Sequence, residues 1–382
     1  MQATLKSINP SREQFTRRPA PALPVLRPDP RRVAVLLNRN ARRVNDGLVR
    51  RFEEVAGEDN VFYSRTLEQA EGFAREIVQR GYGTVVCGGG DGTLARSVNL
   101  VQRYVQEANN WRSERYHRYG EWQSLIRAPH FGFLRLGTGN GMGHVVGSGD
   151  PLDDLKRIVG QETRGVHSIP LIDVGGESCF FAGLGYDSLI LNDYNWLKGH
   201  TQSRWGRKLI QGLGGYLAAI CSRSIPAIMM HDAAKIQARV KTRGPAYYID
   251  PRHGDAVQEL EPGTTLFEGT AGFLGVATTP FYGYGFKVYP FAGLMPGMMQ
   301  LRIGQIGPLD ILPHMMSAWN GSWRCPNKLF DFFVQDIDIE LAQPYPFQHS
   351  GDAQGMRKNL RCRIADDALD LLDLHRSKRM FT

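Results

Sequence analysis

The 382 residues contain no run of about 18 apolar residues, the length needed to cross a bilayer, and no apolar N-terminal stretch of the kind that marks secretion. A cytoplasmic protein, at most peripheral to a membrane, is the expectation. The five cysteines, at 87, 179, 221, 325 and 362, include no C-x-x-C pair. Their odd number and mostly apolar neighbours argue against a disulfide framework or a zinc ribbon and predict reduced, packed thiols. The central body also lacks net charge. Residues 1–32 carry +5 and residues 374–382 carry +3, which together make up the whole formal excess of +8. Basic ends of this kind gain about 1 kcal/mol per Lys or Arg beside anionic headgroups. They would also attract nucleic acid, although no stable nucleic-acid partner is expected. Simple solvation of the ends explains them equally well.

Two nucleotide signatures are missing as well. No Lys-Ser or Lys-Thr pair follows a glycine run as in a Walker loop, and the G-x-G-x-x-G spacing is absent. What the chain does have is a strand-like Thr84-Val85-Val86-Cys87 followed by Gly88-Gly89-Gly90-Asp91-Gly92-Thr93 and a helical pattern from Leu94. Glycines at such a turn let backbone N–H groups approach an anion, and the helix N-terminus adds positive potential. Asp91 is out of place beside phosphate unless it holds a metal or takes a proton. A tight turn with a capping Asp is the plainer reading. A second cluster shifts the balance: Phe131 to Leu136 reads as a strand, and Gly137-Thr138-Gly139-Asn140 follows it directly. Two such loops at the carboxyl edge of a parallel sheet stand where ligands of open α/β folds bind.

Before these loops, Pro10 to Pro30 holds six prolines, so residues 1–31 read as a disordered basic leader. Strand 33–37, a helix over 46–56, a strand at 61–63 and a helix opened by Thr66-Leu67-Glu68-Gln69 follow, the last with capping-box spacing. Residues 103–130 interleave aromatics with arginines and read as a helical insert, aromatics inward and arginines outward. A short helix starts at Asp150-Pro151. From Val166, short alternating segments predict a mainly β region around one helix at 208–220. The expected organisation is an α/β nucleotide domain over 32–165, a mainly β acceptor domain over 166–373 and a basic tail over 374–382.

The ordered motifs resemble the diacylglycerol kinase catalytic domain family, which includes sphingosine, ceramide and bacterial lipid kinases and shares its nucleotide fold with NAD kinase. Gly89-Gly90-Asp91-Gly92-Thr93 is similar to its GGDGT, and Leu136-Gly137-Thr138-Gly139-Asn140 to its L-G-T-x-N. Asn38-Arg39-Asn40 stands at its first loop with only Asn38 retained, Gly183 to Asp187 resembles G-x-G-[FY]-D, and Gly283 to Ala292 resembles its late glycine-proline block. The resemblance implies a parallel-sheet α/β domain joined to a β-sandwich. It also implies an ATP- and magnesium-dependent kinase for a lipid hydroxyl, with a lipid partner at the membrane surface.

The nucleotide residues so implied are Asn38, Arg39, Asn40, Thr66, Gly88, Gly89, Gly90, Gly92, Thr93, Gly137, Thr138, Gly139 and Asn140, with Asp187 near substrate. Asp91 would organise ATP-bound magnesium and share catalysis with Asp352, the one acid in the stretch His349 to Gly355 that matches the family's D-G-E. Pro296 stands where several bacterial members carry an Asp for structural magnesium, so no such ion is expected there. NAD kinase and a catalytically silent nucleotide- or lipid-binding module are the alternatives. Neither the acceptor lipid nor the oligomeric state is readable.

Overall fold

A computed structural model describes residues 26–185, 235–282, 285–307, 310 and 312–375. The leader before residue 26, Asp187, the helix expected over 208–220 and the chain after 375 lie outside the described residues. No described helix is long and apolar enough to cross a membrane.

The first part alternates strand and helix: β1 (Asp29–Asn38), α1 (Asp46–Ala56), β2 (Val61–Ser64), α2 (Leu67–Gln79), β3 (Tyr82–Gly89), α3 (Asp91–Tyr119), β4 (His130–Arg135), α4 (Gly141–Val145) and α5 (Pro151–Val159). Strands β2, β1, β3 and β4 pair in that order, all parallel. Helices on its faces bury such a sheet, so Val33 to Leu37 and Val85 to Cys87 form unbroken apolar runs. Local chemistry sets the helix starts. Asn45 caps α1 through the Leu48 N–H, and Thr66 caps α2 through the Gln69 N–H at 3.3 Å. The Gln69 side chain returns to the Arg65 N–H at 2.8 Å, a reciprocal cap displaced by one residue.

The rest is strand-rich: β5 (Val166–Val174), β6 (Glu177–Cys179), β7 (Phe181–Gly185), β8 (Ile236–Thr242), β9 (Ala246–Ile249), β10 (Ala256–Leu260), β11 (Thr265–Ala271), β12 (Phe273–Ala277), β13 (Met299–Gly304), β14 (Leu329–Val334), β15 (Asp336–His349) and β16 (Asp352–Leu372). Its pairings are antiparallel and enclose a core that includes Leu274, Leu301, Ile303, Ile337 and Ile339. The two regions share one strand. β16 runs 21 residues antiparallel to β15 and β5, and its Leu371 also pairs parallel with Phe131 of β4.

The 103–130 segment differs from expectation. Its residues 103–119 are the second half of α3, which continues unbroken from the glycine loop for 29 residues, about 43 Å, before Gly120 ends it at φ 69°, and residues 120–129 are irregular up to β4. Tyr119 and Trp122 are 62% and 73% exposed, while Arg112 is buried. Tyr104 is buried in the core as expected, but two later rings gain cover from a guanidinium group instead, with Arg115 5.1 Å from the Trp111 ring centroid and 5.4 Å from that of Tyr119. Thiol packing follows the sequence reading: Cys87, Cys179 and Cys362 are free and buried, and burial pushes Cys87 and Cys362 up to about 12.

Candidate active site

The two glycine loops meet at the carboxyl ends of β3 and β4. Gly137 N–H donates to the Gly89 carbonyl at 2.7 Å, and a Cβ on Gly137 would lie only 2.3 Å from the Gly90 Cα. Backbone contact this close requires glycine on chemical grounds. Asn140 closes the second loop on itself. It sits in the left-handed region at φ 52°, its Oδ1 accepts from Gly137 N–H at 3.1 Å, and its Nδ2 donates to the Gly137 carbonyl at 2.9 Å.

Asp91 is the pin between the loops. One of its oxygens accepts from Gly141 N–H at 2.7 Å and the other from Met142 N–H at 2.9 Å. Both oxygens are engaged by the second loop and the side chain is buried, which gives Asp91 a structural part beside the metal role expected for it. Burial is the main cause raising its carboxyl to about 6, against the two amides and the Arg135 charge, which lower it. A raised acid contributes its stability fully below the ordinary carboxyl value and loses that contribution as pH climbs through about 6. Asp91→Asn leaves an amide N–H facing a backbone N–H, so a loss of about 1–3 kcal/mol is expected in acid. The gap to the parent should narrow as pH rises toward neutrality. Urea titrations of both proteins across that pH range test this; a gap that widens contradicts it.

A cavity of about 400 Å³ opens beside the first loop. Asn38, Asn40, Thr66, Gly92, Thr93 and Asp352 line it, joined by Leu36, Ser64, Arg65, Leu67, Ala70, Arg96, Ser97 and Leu100. Asn38 is braced on both sides, its Nδ2 donating to Thr93 Oγ1 at 3.2 Å and its Oδ1 accepting from Asn40 N–H at 2.9 Å. Gly90, the N-cap of α3, brings no capping side chain. Unanswered N–H groups at a helix start suit an anion. Gly88 and Gly89 are buried within β3, Arg39 is exposed on the turn after β1, and Gly137, Thr138, Gly139 and Asn140 stand in the second glycine loop; none of these lines the cavity.

Asp352 arrives from the other end of the chain. Strands β15 and β16 join through a two-residue turn, with Ser350 at φ 47° and Gly351 at φ 84°, and His349 pairs with Asp352. Positive φ at both positions is the mark of a tight hairpin. Tertiary bonds hold Ser350 there: its N–H donates to the Phe181 carbonyl at 2.8 Å and its Oγ accepts from Phe180 N–H at 3.1 Å. The Asp352 carboxylate thus covers Gly92, where an added Cβ would come within 2.7 Å of it. Asp352 is thereby part of the cavity lining. Arg96 lies 3.4 Å from Asp352, with both side chains nearly half exposed. The sequence reading passed over Arg96, although its place one helical turn after Gly92 is the signal that points to the cavity.

The hydroxyls, amides and guanidinium groups fit a phosphate chain. A divalent ion held by protein ligands fits poorly, because the one carboxylate among the described residues of the cavity is already paired with Arg96.

Residues 32–170 match the family model of the diacylglycerol kinase catalytic domain. Curated proteins give no significant sequence match. A crystal structure of a diacylglycerol kinase from Bacillus anthracis is 12% identical, covers 90% of this chain and 97% of its own, and superposes with a TM-score of 0.56. An NAD kinase from Archaeoglobus fulgidus in complex with ATP is more distant, 12% identical over 89% of this chain and 92% of its own, at 0.42. The chain therefore has the fold of the diacylglycerol kinase structure along nearly all its length, and its residues 32–170 are similar to the diacylglycerol kinase catalytic domain.

Proposed function

We propose that this protein is an ATP-dependent kinase that transfers the γ-phosphate to a hydroxyl of a diacylglycerol-, ceramide- or sphingoid-like lipid at a membrane surface. One observation carries the reading: a carboxylate, Asp352, faces Gly92 inside a cavity of amide and hydroxyl donors. Phosphoryl transfer asks the protein chiefly for positioning and charge stabilisation, plus a base for the acceptor proton. Asp352 takes the hydroxyl proton, the freed oxygen bonds to the γ-phosphorus, and the bond to the β-phosphate oxygen breaks, releasing ADP. Asn38, Thr66 and Thr93 hold phosphate oxygens, and Arg96 offers positive charge to the transferring group. Asp91 is a positioning residue, keeping the two glycine loops in register. Magnesium enters with the phosphates of ATP, and no step is assigned to it.

The test is label transfer from γ-labelled ATP to a panel of extracted lipids, with NAD as a second acceptor. Lipid phosphorylation is the expected result. NADP formation would replace this reading with an NAD kinase. A second reading has its own observation, since the Arg96–Asp352 pair occupies the base. ATP binding without turnover of any acceptor would favour a silent binding module.

A further inference from the structure

Away from the cavity, His167, Asp373 and His375 gather two imidazoles and a carboxylate, with one ligand atom from each lying within 4.8 Å of the other two. The register of β16 on β5 brings them together, Leu371 pairing with His167 and Leu372 with Val166. His167 Nε2 is 3.4 Å from one Asp373 oxygen, and His375 Nδ1 is 2.8 Å from the other.

The surroundings hold this arrangement in place. Leu374 N–H donates to the Val146 carbonyl and Asp373 N–H to the Gly165 carbonyl, both at 2.9 Å. Arg157 donates to the Leu374 carbonyl at 2.8 Å. Gly147 makes room for the imidazole, since a Cβ there would come within 2.6 Å of the His375 ring. His375 Nε2 is buried with no hydrogen-bond partner among the described residues, which is costly for a polar atom.

We propose that His167, Asp373 and His375 bind a first-row divalent transition metal, with zinc the best match to two ring nitrogens and one carboxylate. Imidazole and carboxylate are ordinary zinc ligands, and three protein groups leave a fourth position for water. Ligand atoms around tetrahedral zinc stand about 3.3 Å apart. Separations up to 4.8 Å close with a modest turn of a ring, and the His167 side chain, 32% exposed, has the freedom to make it. The ion would tie the end of β16 to the start of β5 beside the segment that follows the second glycine loop. Nothing in this site depends on the kinase reading.

The experiment uses the full chain stripped with chelator. Calorimetric titration with zinc should show one equivalent bound, and cobalt should give the visible d–d bands of a nitrogen- and oxygen-ligated ion. The double variant His167→Ala/His375→Ala should weaken binding by about 100-fold or more, the upper effect seen when a metal's supporting partner is lost. Zinc should also raise the melting temperature of the parent but not of the double variant. Equal zinc affinity in parent and double variant overturns the site, as does a parent without cobalt bands. Circular dichroism checks that the variant folds; if it does not, the more conservative His375→Gln takes its place and the parent's cobalt spectrum still decides.

Discussion

Asp352→Asn should lower phosphoryl transfer about 10²–10⁴-fold, the usual worth of a positioned general base, while the melting temperature stays near that of the parent. The two outcomes separate because of where Asp352 sits. Its side chain is nearly half exposed and its ion-pair partner, Arg96, is equally exposed. Exposed pairs contribute little to stability, so a loss of activity cannot be traced to unfolding. Asparagine keeps the size of the side chain but cannot accept the acceptor hydroxyl's proton. Initial rates with labelled ATP and the best lipid of the panel, beside a thermal melt, make the measurement. Activity within a few-fold of the parent would remove Asp352 from the base role. Arg96→Ala is the companion: if Arg96 acts on the transferring phosphate, it should lower the rate without restoring it in the Asp352 variant.

The second large effect is on stability. Asp331→Ala should destabilise the fold by about 3–5 kcal/mol, because it strands a buried guanidinium. Arg302 and Asp331 face each other across β13 and β14 and pair through two bonds, at 2.8 and 2.9 Å, with both side chains buried. Gln300 donates to the same carboxylate at 2.6 Å and accepts from Phe291 N–H at 2.8 Å, while Arg302 donates to the Val288 carbonyl at 2.7 Å. The network therefore pins the segment around Pro290 to the sheet. A shifted urea midpoint with an unchanged slope is the expected readout. Replacing Arg302 and Asp331 together by Met and Leu should recover much of the loss, since a packed apolar pair often equals a buried ionic one. If the single change costs under 1 kcal/mol, the pair is not the anchor described.

The legible features were the local ones. Helix α1 at 46–56, the Thr66 cap and both glycine loops follow from spacing and turn chemistry within a few residues, and the structure has them there. Asp352 could be singled out as the one acid in its stretch, and the cavity holds it. The rest depends on partners far along the chain. Nothing near Asp91 reveals that the amides of Gly141 and Met142 will claim both its oxygens. The aromatics after Trp111 look like core because aromatic rings usually are, but Tyr116, Tyr119 and Trp122 stay exposed in the last turn of α3 and just beyond it. The boundary expected at 165 and 166 could not foresee β16, whose far end pairs with the first sheet.

That strand has a mechanical consequence. Its first residue is Asp352, and near its last, Leu371 is bonded to β4. Lobes joined by a loose linker can swing freely, but here any opening of the cleft must flex or twist a continuous ribbon. The carboxylate is thereby tied to the first sheet through one strand, so its distance from the loop it covers depends on the bending of that strand.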